Sequence, residues 1–246
     1  MQFSTAIRSS SGGRSKNQDD TDHVQQEGLE GWVLADGLGG HRGGGLASTL
    51  ATRAVVEACE GCRQASGEAV QTATQAAQDL LHERQRKHPE YSQMRTTIVL
   101  LLADPGAKRA FWGHAGDSRL YHFRAGDIAA RTKDHSAVQA LVDAGELEPD
   151  EMRGHGMGHR ITRSLGDSGE ANPDVVESAA PLQSGDAFLL CSDGFWEGVT
   201  EERMLNALDR AASPDAWIDE MATHIENTAE EDHDNYTAVA VFVEAS

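Results

Sequence analysis

Carboxylates gather at four places far apart in this chain, each beside a segment with the character of a β-strand. The clusters are Asn17-Gln18-Asp19-Asp20, Asp36-Gly37-Leu38-Gly39-Gly40-His41, Ser192-Asp193-Gly194 and Asp232-His233-Asp234-Asn235. Apolar runs flank three of them: Trp32-Val33-Leu34 ahead of Asp36, Phe188-Leu189-Leu190-Cys191 ahead of Asp193, and Ala238-Val239-Ala240-Val241-Phe242-Val243 after Asp234. A strand in an apolar scaffold fixes the residue at its end, and carboxylates fixed close together repel unless a cation lies between them. Hard divalent ions suit such oxygen-only ligands. The pattern reads as a metal-dependent enzyme.

Arg14 stands five residues before Asp19. Two readings of it stand side by side. A guanidinium beside a carboxylate-held metal pair is a phosphate clamp, because its forked donors match two phosphoryl oxygens. Equally, it is a surface arginine paired to Asp19 or Asp20.

The elements that must hold these groups follow from periodicity. Strands are expected at 31–35, 96–103, 109–114, 119–123, 186–191 and 236–243. Helices are expected over 43–59, with Leu46, Leu50, Ala54 and Val55 on one face, over 67–88, over 201–211, and over 214–229. The last opens at Pro214 and carries Trp217, Ile218, Met221 and Ile225 at helical spacing. This order lacks the regular strand–helix alternation of a doubly wound sheet and suits mainly antiparallel sheets with helices packed outside them. Residues 134–170 form an insertion between strand blocks. Asp134-His135-Ser136 caps a short helix through Val138, Leu141 and Val142, and the glycine-rich Gly154-His155-Gly156-Met157-Gly158-His159 reads as a mobile flap.

Composition narrows the class. With 246 residues the chain fits one domain, 1–246, large enough for a sizeable core, and 39% apolar content fits a folded protein. No run of apolar residues is long enough to span a bilayer, and the first residues lack the apolar core of a signal peptide. Three cysteines make no disulfide framework. A cytoplasmic monomer is the default expectation. A net charge of −19, from 40 acidic and 21 basic residues, would repel nucleic acid and anionic lipid.

Taken in order, the motifs resemble those of the metal-dependent protein phosphatases, the protein phosphatase 2C family. They are Arg14-x-x-Asn17-Gln18-Asp19, Ala35-Asp36-Gly37-Leu38-Gly39-Gly40, Thr96-Thr97, Gly113-His114-Ala115-Gly116-Asp117-Ser118-Arg119, Asp134-His135-Ser136, Ile161-Thr162-Arg163-Ser164-Leu165-Gly166, Cys191-Ser192-Asp193-Gly194 and Asp234-Asn235-x-Thr237. Each alone is weak, since a lone Asp-Gly is usually a turn; the ordered set is specific and is similar to compact bacterial members.

The resemblance implies an α+β fold, a four-layer α-β-β-α sandwich of two antiparallel sheets flanked by helices. It further implies two Mn²⁺ or Mg²⁺ ions at one end, bridged by Asp36, with the Gly37 carbonyl on one of them. Asp193 and Asp234 would hold the first ion, and Asp19 would support the second. Asp117 would help to hold a third ion, and Asp167 would lie near it. Arg14 and Asp36 would then be the catalytic residues, Arg14 also binding the phosphoryl group while the ions acidify a shared water. The substrates would be phosphoserine and phosphothreonine in proteins modified by a serine/threonine kinase. One departure is plain: relatives of the eukaryotic type carry a histidine directly after Asp-Gly, and here Leu38 stands there. The acid for the leaving alkoxide is then His41, which also reads as a polar residue at a helix entry, or a metal-bound water.

Other residues invite over-reading. Cys59-Glu60-Gly61-Cys62 has zinc-like spacing without a second ligand pair and reads as a helix C-terminus with reduced thiols. Cys191 reads as core, His114 as a structural residue at a strand end, Trp196 as packing, and Thr96 and Thr97 as buried behind the metal site. Intact Asp19, Asp36, Asp193 and Asp234 weigh against a catalytically inactive phosphoprotein-binding relative. A phosphoesterase acting on small molecules is the remaining alternative.

Overall fold

The computed structural model describes residues 1–38, 43–157, 160–178 and 180–245. His41 and His159 lie outside the described residues. In chain order the elements are β1 (Gln2–Ser10), β2 (Asp19–Gln26), β3 (Leu29–Leu38), α1 (Gly44–Glu60), α2 (Gly67–Lys87), β4 (Arg95–Thr96), β5 (Ile98–Asp104), β6 (Arg109–Ala115), β7 (Arg119–Arg124), β8 (Asp127–Arg131), α3 (Ala137–Asp143), β9 (Asp174–Glu177), β10 (Ala187–Cys191), α4 (Asp193–Gly198), α5 (Glu201–Arg210), α6 (Pro214–Thr228) and β11 (Tyr236–Glu244).

The strands form two antiparallel sheets. One runs β1-β11-β10-β7-β8, the other β2-β3-β5-β6-β9 with the short β4 also paired to β3. Interior strands are covered on both faces, which is why β5 and β10 are buried from end to end or nearly so. Trp32, Leu34, Val99, Leu101, Phe188, Leu190, Val239 and Val241 fill the space between the sheets. Outside the second sheet, α1 and α2 pack through small residues such as Ala47, Ala51, Ala73 and Ala77. Outside the first, α4, α5 and α6 pack through Phe195, Met204, Trp217, Ile218 and Met221. The result is the expected α-β-β-α sandwich.

Helix starts follow capping chemistry. Ser66, Ser136, Thr200 and Ser213 each accept a hydrogen bond from a backbone N–H three residues on, and Pro214 opens α6. Cys59 and Cys62 sit at the end of α1 with no disulfide, and burial pushes the Cys59 thiol up to about 12. No helix among the described residues is long and apolar enough to cross a membrane.

The 134–170 segment is tied at several points. Leu165 exchanges backbone hydrogen bonds with Thr96, and Ser136 bridges to Ile161. Side chains on one face of α2 clip its C-terminal leg: Gln78 accepts from the Gly166 N–H (2.7 Å) and donates to the Asp167 and Gly169 carbonyls, while Gln85 donates to the carbonyls of Gly166 and Met94.

Candidate metal centre

Antiparallel pairing brings the four acidic clusters to one end of the sandwich. Asp36, near the end of β3, lies opposite Asp19 at the start of β2. In the sheet that does not hold β2 and β3, Asp193 follows β10 and Asp234 precedes its neighbour β11. Asp117 occupies the turn from β6 to β7.

Backbone pairing locks Asp36 in place. Its N–H donates to Thr97 Oγ1 (2.9 Å), and its carbonyl accepts from the Thr97 N–H (2.8 Å) and from the Thr96 hydroxyl (2.7 Å). Thr96 and Thr97 are thus buried supports, as expected. At Gly37 a Cβ would lie 2.2 Å from the Gly44 backbone, so the start of α1 rests directly on the end of β3. A hydroxyl joins the sheets: Ser192 donates to Asp19 Oδ2 (2.8 Å) and itself accepts the Thr237 N–H (2.9 Å). Asn235 secures the loop that carries Arg14, accepting from the Gln18 N–H and donating to the Ser11 and Lys16 carbonyls.

The electrostatics are those of a site built for cations. Burial raises the Asp36 carboxyl well above the usual range, and the charges of Asp193, Asp19, Asp117 and Asp234 raise it further. Burial pushes Asp19 up to about 6, with Asp193 adding to the rise and the Ser192 and Thr237 bonds opposing it. Asp117 is raised well above the ordinary range by burial and then by Asp193 and Asp134. Asp19 Oδ1 and Asp117 Oδ1 are buried without a hydrogen-bond partner. Orphaned carboxylate oxygens inside a cluster of like charge fit divalent cations. The oxygen-only set fits Mg²⁺ or Mn²⁺ rather than zinc.

Arg14 departs from one of its two readings. Its guanidinium pairs with Asp234 Oδ2 (3.2 Å), not with Asp19 or Asp20, and its side chain is 54% exposed at the open rim. Asp20 instead accepts a hydrogen bond from the Thr52 hydroxyl. Asp167 is occupied elsewhere: its carboxylate accepts the Ser164 N–H and hydroxyl and pairs with Arg95, an arrangement that holds the loop. Leu38 is partly buried on β3 with no group to exchange a proton.

A second cluster, His114, His135 and Asp174, brings ligand-type atoms within 4.8 Å of one another. The two rings stack at 4.5 Å and 10°, so their in-plane lone pairs do not converge on one point. Arg163 already lies on Asp174 Oδ1 (2.6 Å), and His114 Nε2 donates to the Lys133 carbonyl (2.6 Å). The group fastens the 134–170 segment to β6 and β9. His114 is the structural residue expected, while His155 sits in a loop, its Nδ1 accepting the Met157 N–H. Reading the sequence alone missed Ser192 as the clamp on Asp19, because 173 residues separate the two.

Two antiparallel sheets with helices outside them and a carboxylate cluster at one end define a class, that of the metal-dependent phosphatases. Residues 8–235 match the family described as protein phosphatase 2C. The chain belongs to that family. It is 35% identical over 192 residues to protein phosphatase PhpP of Streptococcus pneumoniae, an alignment that takes in 74% of each chain. Serine/threonine protein phosphatase PstP of Mycobacterium tuberculosis is 34% identical over 179 residues, or 72% of this chain and 34% of that longer one. The solved catalytic domain of PstP in complex with two manganese ions superposes with a TM-score of 0.81 at 29% identity, covering 99% of both chains.

Proposed function

We propose that the protein is a serine/threonine phosphatase that removes phosphate from phosphoserine and phosphothreonine in proteins, acting on the products of a kinase. The observation that carries this reading is the convergence of Asp19, Asp36, Asp117 and Asp193 at one end of the sandwich, with two buried carboxylate oxygens lacking partners, beside an exposed arginine. Asp36, Asp19, Asp193, Asp234 and the Gly37 carbonyl would hold two ions, Mn²⁺ as in the PstP complex or Mg²⁺, and Asp117 with Asp193 a third. Bound there, the ions supply acidification of a shared water and neutralisation of charge on the phosphoryl oxygens.

The protein's own groups do the rest. Arg14 keeps one nitrogen on Asp234 while more than half of its side chain stays in solvent. Its fork is therefore oriented and open to two phosphoryl oxygens. Thr96 and Thr97 make three hydrogen bonds to the Asp36 backbone, which fix the point from which its carboxylate projects. Leu38 supplies no proton to the leaving alkoxide. The whole chain, 1–246, acts as one catalytic domain, and the 134–170 segment is its flap. A phosphothreonine peptide and a nucleoside monophosphate offered side by side test the substrate class. The peptide should turn over at least tenfold faster; a faster nucleotide would make the protein a small-molecule phosphoesterase.

A further inference from the structure

The backbone of Asp117, the residue proposed for a third cation, is held by Trp196, a residue that the sequence reads as packing. Asp117 is 3% exposed and follows Gly116, which lies at φ +112° against Thr97. The Asp117 carbonyl accepts the indole N–H of Trp196 (2.9 Å). Trp196 stands three residues beyond Asp193 in the same short helix, so one rigid turn carries an assigned ligand at its start and the support of another near its end.

The indole is itself held by cations. The Arg119 guanidinium lies 3.4 Å from the ring centroid and forks onto Asp134, both bonds at 2.8 Å. Arg153, from the 134–170 segment, lies 5.7 Å from the same ring. Arg153 also donates to Glu201 Oε2 (2.7 Å), and Glu201 accepts from Tyr121 (3.0 Å) and Arg131 (3.4 Å). Guanidinium over indole within about 6 Å is a favourable contact. A cleft of about 440 Å³ lies between Arg119, Arg153 and Glu201, beside this latch.

We propose that Trp196 is a positioning residue that fixes Asp117 for the third cation, and that Arg153 makes that hold depend on where the flap sits. The inference rests on the third-ion reading of Asp117. Flap position and third-ion affinity are then two readouts of one contact chain, Arg153–Trp196–Asp117. A substrate that shifts the flap would change occupancy of the third ion without touching the two-ion core.

Manganese titration followed by electron paramagnetic resonance tests this on the full chain, comparing wild type with Trp196→Phe, Arg153→Ala and Asp117→Asn. Trp196→Phe keeps an aromatic ring for the guanidinium and loses the N–H. Loss of one such hydrogen bond should weaken the third equivalent about three- to tenfold and leave the first two unchanged. A residue that only packs would lower the melting temperature in chelator and leave third-ion affinity as it was; that result overturns the inference. Arg153→Ala should weaken the third equivalent in the same direction, and an unaltered affinity removes the flap from the chain. Asp117→Asn separates the two layers of argument. If wild type and Asp117→Asn both bind only two equivalents, the third-ion reading fails and takes this inference with it.

Discussion

At the scale of single residues, the site is a set of charges the fold holds together at a cost. Asp36 faces four other carboxylates, and substituting it removes the bridge expected to join two ions. Asp36→Asn should abolish turnover and melt no lower than wild type in chelator. At a hundredfold excess of Mn²⁺ over its Kd the wild type should gain about 2.7 kcal/mol per site, and the variant should lose most of that gain. Calorimetry with and without Mn²⁺ checks it. The raised carboxyls of Asp19, Asp36 and Asp117 also set a pH dependence. As pH falls these groups take up protons that a cation must displace, so apparent Mn²⁺ affinity falls with them. The rise in melting temperature on adding Mn²⁺ should therefore be smaller at pH about 5.5 than at about 7.5, and an increase toward acid would contradict the assignment. Asp36, Asp193 and Asp234 were legible in the sequence because Asp-Gly and Asp-Asn at strand ends announce themselves, and Asp19 from its acidic cluster, whereas Asp117 was legible only through the resemblance to the family. Two of their supports were not: the roles of Ser192 and Trp196 depend on contacts between residues 173 and 79 positions apart in the chain.

Elements were legible according to how many of their faces are buried. The strands expected from sequence, β3, β5, β6, β7, β10 and β11, are all interior to their sheets. The four longer strands left unread, β1, β2, β8 and β9, are the four edges. An edge strand need bury little, so β1 has one buried residue, Ala6, and β9 has none. The short α4 was hidden for another reason: its six residues are too few for a period to show. The helical spacings of α1, α2, α5 and α6 were clear, since each buries one apolar stripe. Two substitutions probe the links between elements. Gln78→Ala would strip the Gly166 N–H and the Gly169 carbonyl of their partner, leaving the Asp167 carbonyl to His82 alone, at a cost of about 2 kcal/mol in denaturant melts. Arg119→Ala would leave Asp134 buried and unpaired and should cost about 3–5 kcal/mol. A loss below about 1 kcal/mol in the second case would mean that water reaches Asp134.

For the molecule as a whole, the two sheets form a platform whose one end gathers carboxylates from every part of the chain. Residues 19 and 234 meet there only because β2 and β11 start at that same end. The layered architecture was legible from the order of elements, and the family from eight motifs in sequence; the tie of Arg14 to Asp234 rather than to its near neighbours was not, because it depends on the loop at 11–18 folding against 231–234. The carboxylates gathered at this end favour cations, and the acidic excess of −19 over the whole chain is unfavourable to polyanions, which is consistent with action on individual phosphorylated side chains. The measurement that bears most directly on the account is phosphate release from a phosphothreonine peptide with Mn²⁺ or Mg²⁺, then with chelator, beside the Asp193→Asn variant. Turnover should need the metal and be lost in the variant while the fold persists. Turnover that survives chelator or the Asp193→Asn change would contradict the metal centre at the heart of it.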